Sequence, residues 1–325
     1  MTFLKRRLGD TKVEVTAVAF GCASIGNLFV ETSDAAADNL LVAAWDAGIC
    51  YFDTAPHYGR GLSEQRLGHF LRHKPRADYV VSTKVGRVLS SGPELDEADG
   101  YIRPLSNKVR YDYSGDGIVE ALEGSRKRLG TEYIDIVYVH DLGAFTHGAD
   151  NIVHMEAFFA TGFEQLIRLK EQGKIGAFGL GVNENQVCLD VLEHGALDVI
   201  LLAGRLTLLD RSAQDALIQA CQNAGVSLVL GGVFNSGILA TGAVDGATFD
   251  YFPASKKVLS DVRRLEQKAE VAGVNLATAA LQFVKTHPST SAVLIGTAHQ
   301  VLLNRNIAAL NAPITDDMRR FLASA

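Results

Sequence analysis

Long apolar runs are missing from this sequence. No segment reaches the ~20 uninterrupted apolar residues of a membrane span, and residues 1–15, which carry Lys5, Arg6 and Arg7, hold no stretch long enough for a signal peptide. The expectation is a cytoplasmic protein with no membrane partner. An excess of basic residues is missing too. The 31 Lys and Arg against 37 Asp and Glu leave a formal net charge of −6, so no basic face is expected that could displace the counterions of a nucleic acid. Nucleic acid is not an expected partner.

Cysteine and proline are scarce. Cys22, Cys50, Cys188 and Cys221 form no C-x-x-C pair and stand among apolar or small residues, which predicts free thiols in a reducing compartment rather than disulfides or a zinc site. The 7 prolines are scattered, and no Pro- or Ser-rich linker, like-charge block or low-complexity segment divides the chain. Residues 1–325 are therefore read as one domain. His69 and His73 stand four apart, but the Glu of a zinc-protease motif is missing between them. They are read as a solvated helix face, and no metal is expected.

What is present is a repeated alternation of short apolar runs with amphipathic segments, in a chain that is 47% hydrophobic. Strands are expected at 15–20, 49–52, 79–83, 134–139, 175–180, 199–202, 227–230 and 292–295, where runs rich in Val, Ile, Leu, Tyr or Phe suit parallel strands covered on both faces. Apolar residues at three- and four-residue spacing predict helices over 34–47, 63–72, 117–129, 163–172, 185–194, 212–224 and 255–272, with Asp34 and Ser63 as N-caps. Gly48, Gly130, Gly173, Gly195, Gly225 and Gly273 each follow a last helical turn. Eight strands joined by right-handed crossovers close into a barrel. The competing open doubly wound sheet would carry G-x-G-x-x-G after its first strand, where this chain reads Gly21-Cys22-Ala23-Ser24-Ile25-Gly26. The expected fold is α/β, a (β/α)8 TIM barrel in a single domain with long βα loops. Those loops, 87–116, 141–161 and 231–253, follow strand ends and are expected to wall the substrate and cofactor sites.

The residues just after the strands carry the chemistry. Asp53 and Tyr58 follow the second strand, Lys84 the third and His140 the fourth, so a barrel would gather them on one rim. A phenol of pKa near ~10 is a poor base at neutral pH, but a nearby ammonium favours its phenolate and a carboxylate can anchor that ammonium. In this arrangement Tyr58 exchanges a proton, Lys84 lowers its pKa, Asp53 holds Lys84, and His140 orients a substrate oxygen.

The run from Phe52 to Gly59, followed by Glu64 and Gly68, resembles the signature of the aldo-keto reductase superfamily. More narrowly, the chain resembles the aldose 1-dehydrogenases acting on L-fucose, L-galactose and D-threo-aldoses. That likeness is carried by Ala43 to Gly48, Tyr111 to Ser114, Leu201 to Arg205 and Gly231 to Gly237. The resemblance implies the (β/α)8 fold, a nicotinamide cofactor, no metal, and Asp53, Tyr58, Lys84 and His140 as catalytic tetrad. It assigns to the cofactor Gly21, Asn183, the turn Gly232, Val233, Phe234, Asn235 and Gly237, and the group Gly296, Thr297, Ala298 and Asn306. Backbone amides of a Gly-rich turn can approach phosphate oxygens. Relatives commonly place a stacking Tyr at Leu206 and an Arg at Ala298. Recognition of a 2′-phosphate wants Arg or Lys, so NAD is favoured over NADP, with Arg305 left as a candidate phosphate partner.

The expected reaction is oxidation of a pyranose at C1 to a lactone, Tyr58 accepting the proton, with His57 and Arg205 reading sugar hydroxyls. The small-molecule alternatives are reduction of an aldehyde or ketone and dehydrogenation of a pyridoxal-like vitamin. A nicotinamide-binding module without turnover, and a barrel glycosidase using Asp53 and Asp141, complete the alternatives. The oligomeric state is not read from the sequence.

Overall fold

The structure, a computed structural model, describes residues 3–325. Eight parallel strands close a barrel: β1 (Val18–Gly21), β2 (Tyr51–Asp53), β3 (Val80–Val85), β4 (Ile134–His140), β5 (Ile175–Val182), β6 (Val199–Ala203), β7 (Ser227–Gly231) and β8 (Thr290–Ile295), each paired to the next and β8 to β1. All eight overlap the expected apolar runs, although the run expected at 15–20 is divided between β1 and an N-terminal hairpin strand (Glu14–Thr16), and the (β/α)8 architecture is as the sequence predicts.

Seven of the surrounding helices were expected: α1 (Asp34–Asp46), α2 (Leu62–Leu71), α3 (Gly115–Leu129), α4 (Phe163–Glu171), α5 (Gln186–His194), α6 (Ala216–Ala224) and α7 (Lys256–Val271). Three more, α8 (Leu276–Thr286), α9 (Gln300–Asn311) and α10 (Asp316–Ser324), lie in a C-terminal stretch where no helix was expected. Both proposed N-caps need correction. Ser33, not Asp34, caps α1 by accepting from the Ala36 N–H, and α2 begins after Gly61. Ser63 instead lies inside α2 and donates to the Cys22 carbonyl at 2.7 Å. The helix expected from 212 starts only at Ala216, after a turn held by the Asp210 carboxylate on the Ser212 N–H.

Strand alternation divides the core into two layers. Tyr51, Ile136, Tyr138, Ala177, Val199, Leu201, Val229 and Ala292 fill the barrel interior. An N-terminal hairpin (Lys5–Arg7 with Glu14–Thr16) sets Leu8, Val13 and Val15 against that interior as a plug. Between them, outward residues such as Phe52, Val81, Val137 and Phe178 meet the helices. Phe52 lies 6.4 Å from Trp45 of α1 and 6.0 Å from Phe70 of α2, ring centre to ring centre. All four cysteines are free, and His69 and His73 are exposed. No described helix is long and apolar enough to cross a membrane.

One buried charge fastens α2 and α3 to the barrel. Glu64 is fully buried, accepting from Thr83 Oγ1 of β3 and Arg128 Nε of α3, both at 2.6 Å. Removing the Arg128 head group leaves a carboxylate buried without its counter-charge, and Arg128→Met is expected to cost about 3 kcal/mol. Urea unfolding should show a lower midpoint at unchanged slope; an unchanged midpoint would mean that Glu64 is stable without the pair.

Candidate active site

Alternation along β2, β3 and β4 turns Tyr51 and Asp53, Ser82 and Lys84, and Tyr138 and His140 to the same side, while Phe52, Thr83 and Val139 face out. The register pairs Asp53 with Ser82 and Tyr138 with Lys84. Asp53, Lys84 and His140 therefore meet at the C-terminal end of the barrel. Tyr58 reaches them from the turn after β2, where Gly59 at φ 62° lies so close to Gly26 that an added Cβ would come within 2.4 Å of the Gly26 carbonyl oxygen. Only glycine accepts both that backbone angle and that approach.

The Lys84 ammonium organises the group. Its Nζ donates to Asp53 Oδ2 at 2.7 Å, to the Thr54 carbonyl at 2.9 Å and to Tyr58 Oη at 3.0 Å. An ammonium has three hydrogens, so all are engaged, and the hydrogen of Tyr58 is left for the cleft that its ring lines. Lys84 and Asp53 are almost completely buried, their side chains 2% and 1% exposed.

The electrostatics depart from the sequence reading at one point. The Tyr58 phenol is pushed well above its ordinary value, first by burial and then by the negative charges of Asp53 and Asp141, with Arg87 opposing. Lys84 was expected to bring it down, but its charge is matched by Asp53 at contact distance, and loss of water dominates. Tyr58 therefore rests as a phenol. Both histidines rest neutral. Burial and the cations Arg87 and Lys84 press His57 down to about 2 and hold His140 well below its usual range. The Nδ1 atoms of both rings are buried without a partner among the described residues.

The tetrad opens on a cleft of about 460 Å³. His57, Tyr58, Lys84, His140, Asn183 and Gly232 line it. Asp53 stands behind Lys84. The expected wall loops contribute Tyr101 from 87–116, Phe145 from 141–161 and Tyr251 from 231–253, joined by Phe29 after β1. The last of these is held by its N–H on the Gly100 carbonyl at 2.8 Å. The loop 87–116 is itself a hairpin (Arg87–Ser91 with Asn107–Tyr111). A larger groove of about 610 Å³ lies at the opposite barrel end, where Arg76 is paired with Asp135 at 2.6 Å. It holds none of the tetrad.

Sequence reasoning missed one charged pair. Arg87 Nη2 donates to Asp141 Oδ2 at 2.5 Å, and that carboxylate also lies 3.4 Å from His140 Nε2. The pair follows from the β3–β4 register: Val85 is opposite Val139, so Arg87 and Asp141, each two residues further on, leave the barrel side by side.

Arg205 does not line the cleft, and its expected substrate role is corrected. Its Nε donates to the Asn183 carbonyl at 2.6 Å, Nη1 to Asp210 at 2.8 Å and Nη2 to Asp250 at 2.7 Å. It is a three-way tie between the loops after β5, β6 and β7. Leu206, where a stacking ring was looked for, is buried in the core. The Asn235 amide is likewise occupied, accepting from Thr207 Oγ1 at 2.6 Å and donating to the Gly204 carbonyl at 3.0 Å.

A nicotinamide nucleotide fits the residues that remain. Asn183 lines the cleft, its side chain without a hydrogen-bond partner among the described residues, and Gly231 and Gly232 line it too. Val233 and Asn235 turn their side chains into the protein, so the turn Gly232 to Gly237 offers backbone, as an approaching phosphate requires. Gly296 and Gly21 pack backbone to backbone on the rim between β8 and β1. Thr297 and Ala298 follow, half-buried, and Asn306 is buried on α9 beside Leu303 and Leu310.

Comparison with known proteins agrees with this geometry. The profile of the aldo/keto reductase family matches residues 17–324. A pyridoxal 4-dehydrogenase from Microbacterium luteolum is 40% identical, over 98% of this chain and 96% of that protein. A D-threo-aldose 1-dehydrogenase from a Pseudomonas species is 36% identical, over 92% and 91%. Among solved structures, the holo form of an aldo-keto reductase from Bacillus halodurans superposes with a TM-score of 0.77 at 25% identity, covering 99% of this chain and 96% of that one. A barrel that gathers a phenol, an ammonium and a carboxylate at one strand-end rim, and a likeness that runs along nearly the whole sequence, lead to one conclusion: the chain belongs to the aldo/keto reductase family, oxidoreductases that act on carbonyl and alcohol groups with a nicotinamide nucleotide.

Proposed function

We propose that this enzyme oxidises the hydroxyl on the hemiacetal carbon of a small ring, an aldose of the L-fucose, L-galactose or D-threo-aldose type, to the lactone, with NAD favoured over NADP. The observation that carries the reading is the saturation of Lys84. With its three hydrogens on Asp53, Thr54 and Tyr58, Lys84 has none to give a substrate, and among Lys84, Asp53 and Tyr58 the hydrogen free for exchange is the one on Tyr58. Tyr58 exchanges the proton of the substrate oxygen, Lys84 stabilises the phenolate that this exchange requires, and Asp53 holds Lys84. Neutral His140 donates a hydrogen bond to the same oxygen and so fixes its position. The nicotinamide, when bound, supplies the hydride chemistry at the carbon bearing that oxygen. Asn183 would hold its carboxamide, and the backbone from Gly232 to Gly237 its phosphates.

A second reading is favoured by the aromatic mouth formed by Phe29, Tyr101, Phe145 and Tyr251, which suits a flat ring better than a sugar. Pyridoxal fits it: its aldehyde and neighbouring hydroxymethyl group close into a cyclic hemiacetal, so the same proton and hydride transfers yield a lactone. One panel separates the readings. NAD and NADP are each offered with L-fucose, L-galactose, D-arabinose and pyridoxal, and nucleotide reduction is followed. Turnover of the sugars supports the first reading, and turnover of pyridoxal alone the second. Failure with all four, together with turnover of simple aldehydes by NADPH, would make the enzyme a reductase instead.

Cofactor choice has its own expected result. In the stretch 296–306 that the resemblance assigns to the adenosine end, the single Lys or Arg is exposed Arg305, with Ala298 where a phosphate-binding Arg would stand. NAD is expected to be preferred, and Arg305→Ala to leave KM for NAD unchanged; a large rise in KM for NADP alone would show that Arg305 reads the 2′-phosphate. The tie at Arg205 predicts a third effect. Arg205→Leu frees the loops after β5 and β7 that carry the proposed cofactor contacts, and NADH binding followed by fluorescence is expected to weaken roughly tenfold. Unchanged binding would show that the loops hold their places without it.

A further inference from the structure

Behind the tetrad, three hydroxyl groups continue the hydrogen-bonded line into the barrel interior. Ser82 Oγ lies 2.7 Å from Asp53 Oδ1 and 3.2 Å from Tyr51 Oη, and Tyr51 Oη lies 2.9 Å from Tyr138 Oη. All three side chains are fully buried, the two rings among Val15, Ile136, Val199 and Val229. Each hydroxyl has one hydrogen to give. A carboxylate can only accept, so Ser82 donates to Asp53. Tyr51 then donates to Ser82 and Tyr138 to Tyr51, because any other assignment leaves a phenol hydrogen buried with no acceptor, at a cost of about 1–3 kcal/mol. Burial pushes both phenols far above their ordinary value, so both keep their hydrogens.

We propose that Tyr138, Tyr51 and Ser82 form a one-directional chain of donors ending on Asp53, and that they are positioning residues for the Lys84–Tyr58 contact. The proposal rests on the reading of Tyr58 as the proton-exchanging group. Its physical basis is the place of Asp53, which has lost its water and must be held at both oxygens. Lys84 holds Oδ2 and the hydroxyl chain holds Oδ1. A donor in a chain is polarised by the donor behind it, so Tyr138 acts on Asp53 through two intermediaries. Without a donor on Oδ1 the carboxylate can turn about its own bond, and the ammonium that it anchors then leaves the Tyr58 oxygen.

The test uses full-length enzyme labelled with [ζ-13C]tyrosine, the Tyr58 signal being assigned by its loss in Tyr58→Phe. Ser82→Ala is expected to shift the signals of both Tyr51 and Tyr58, to lower kcat about tenfold, equivalent to one pKa unit in the exchanging group, and to leave KM for the nucleotide unchanged. Ser82→Thr, which restores the hydroxyl, should restore both signals. Tyr138→Phe keeps the ring and removes only the end of the chain, so it remains informative if Ser82→Ala does not fold; a shift at Tyr51 and a smaller one at Tyr58 are expected. A Tyr58 signal that stays in place in the folded variants overturns the proposal. These signals need no substrate, so that result is distinct from failure of the functional reading, which activity of Tyr58→Phe decides.

Discussion

Tyr58→Phe is expected to lower kcat by about a thousandfold, within the 10²–10⁴ that a positioned proton-transfer group contributes, while NADH still binds. The substitution removes one oxygen and little else. The ring keeps its near-parallel contact with Tyr101 at 6.1 Å and its edge on His140 at 5.9 Å, so the cleft wall stays, and the groups proposed to hold the nucleotide are untouched. The same hydroxyl sets the pH dependence of the parent enzyme. Oxidation needs the phenolate, and burial and the charges of Asp53 and Asp141 push its formation above the ordinary tyrosine range. Below that pKa the working fraction grows tenfold per pH unit, so log kcat for oxidation should climb with slope near one, still rising at about pH 10. Reduction needs the phenol and should be flat across that range. His57 and His140 are held neutral and should add no limb between about pH 6 and 8. Retained dehydrogenase activity in Tyr58→Phe would show that another group exchanges the proton.

Lys84→Met should damage stability and activity together. The Lys84–Asp53 pair is buried on both sides, and taking away one partner strands a carboxylate in the barrel interior, at a cost of about 3–5 kcal/mol. The Thr54 carbonyl and the Tyr58 oxygen lose their donor in the same step. The double variant Asp53→Asn with Lys84→Met removes the stranded charge and should recover much of the lost stability in urea unfolding, yet no activity, because the phenolate still lacks its ammonium. That split separates the two roles of one side chain. A single Lys84→Met variant as stable as the parent would show that Asp53 is not held by this pair.

The tetrad was legible in the sequence for a specific reason. Asp53, Lys84 and His140 close strands of period two, and once the barrel is recognised the alternation leaves them only the inner rim. Tyr58 follows by its short distance from β2. The wall loops could be placed as well, though not what they present: Phe29, Tyr101 and Tyr251 enter the cleft through hairpins and loop pairings that no local pattern announces. Charged and amide side chains were the least legible. Arg205 and Asn235 stand in the right loops, but partners 5 to 45 residues away for Arg205, and 28 and 31 away for Asn235, claim their hydrogen bonds. Arg87 meets Asp141 only through the β3–β4 register, which the strand pattern alone does not state.

By itself, the sequence determined the eight strands, seven of the helices and which four side chains meet at the strand-end rim, because hydrophobic period and strand-end position are local properties of the chain. The tertiary structure alone decided which hydrogen each group gives away. It closed the Lys84 ammonium on three acceptors, left the Tyr58 hydrogen free for exchange, and raised the Tyr58 pKa where sequence reasoning expected a fall. It also turned Arg205 from the substrate to the loops. Those outcomes depend on burial and on partners distant in the chain, and neither exists until the barrel has closed.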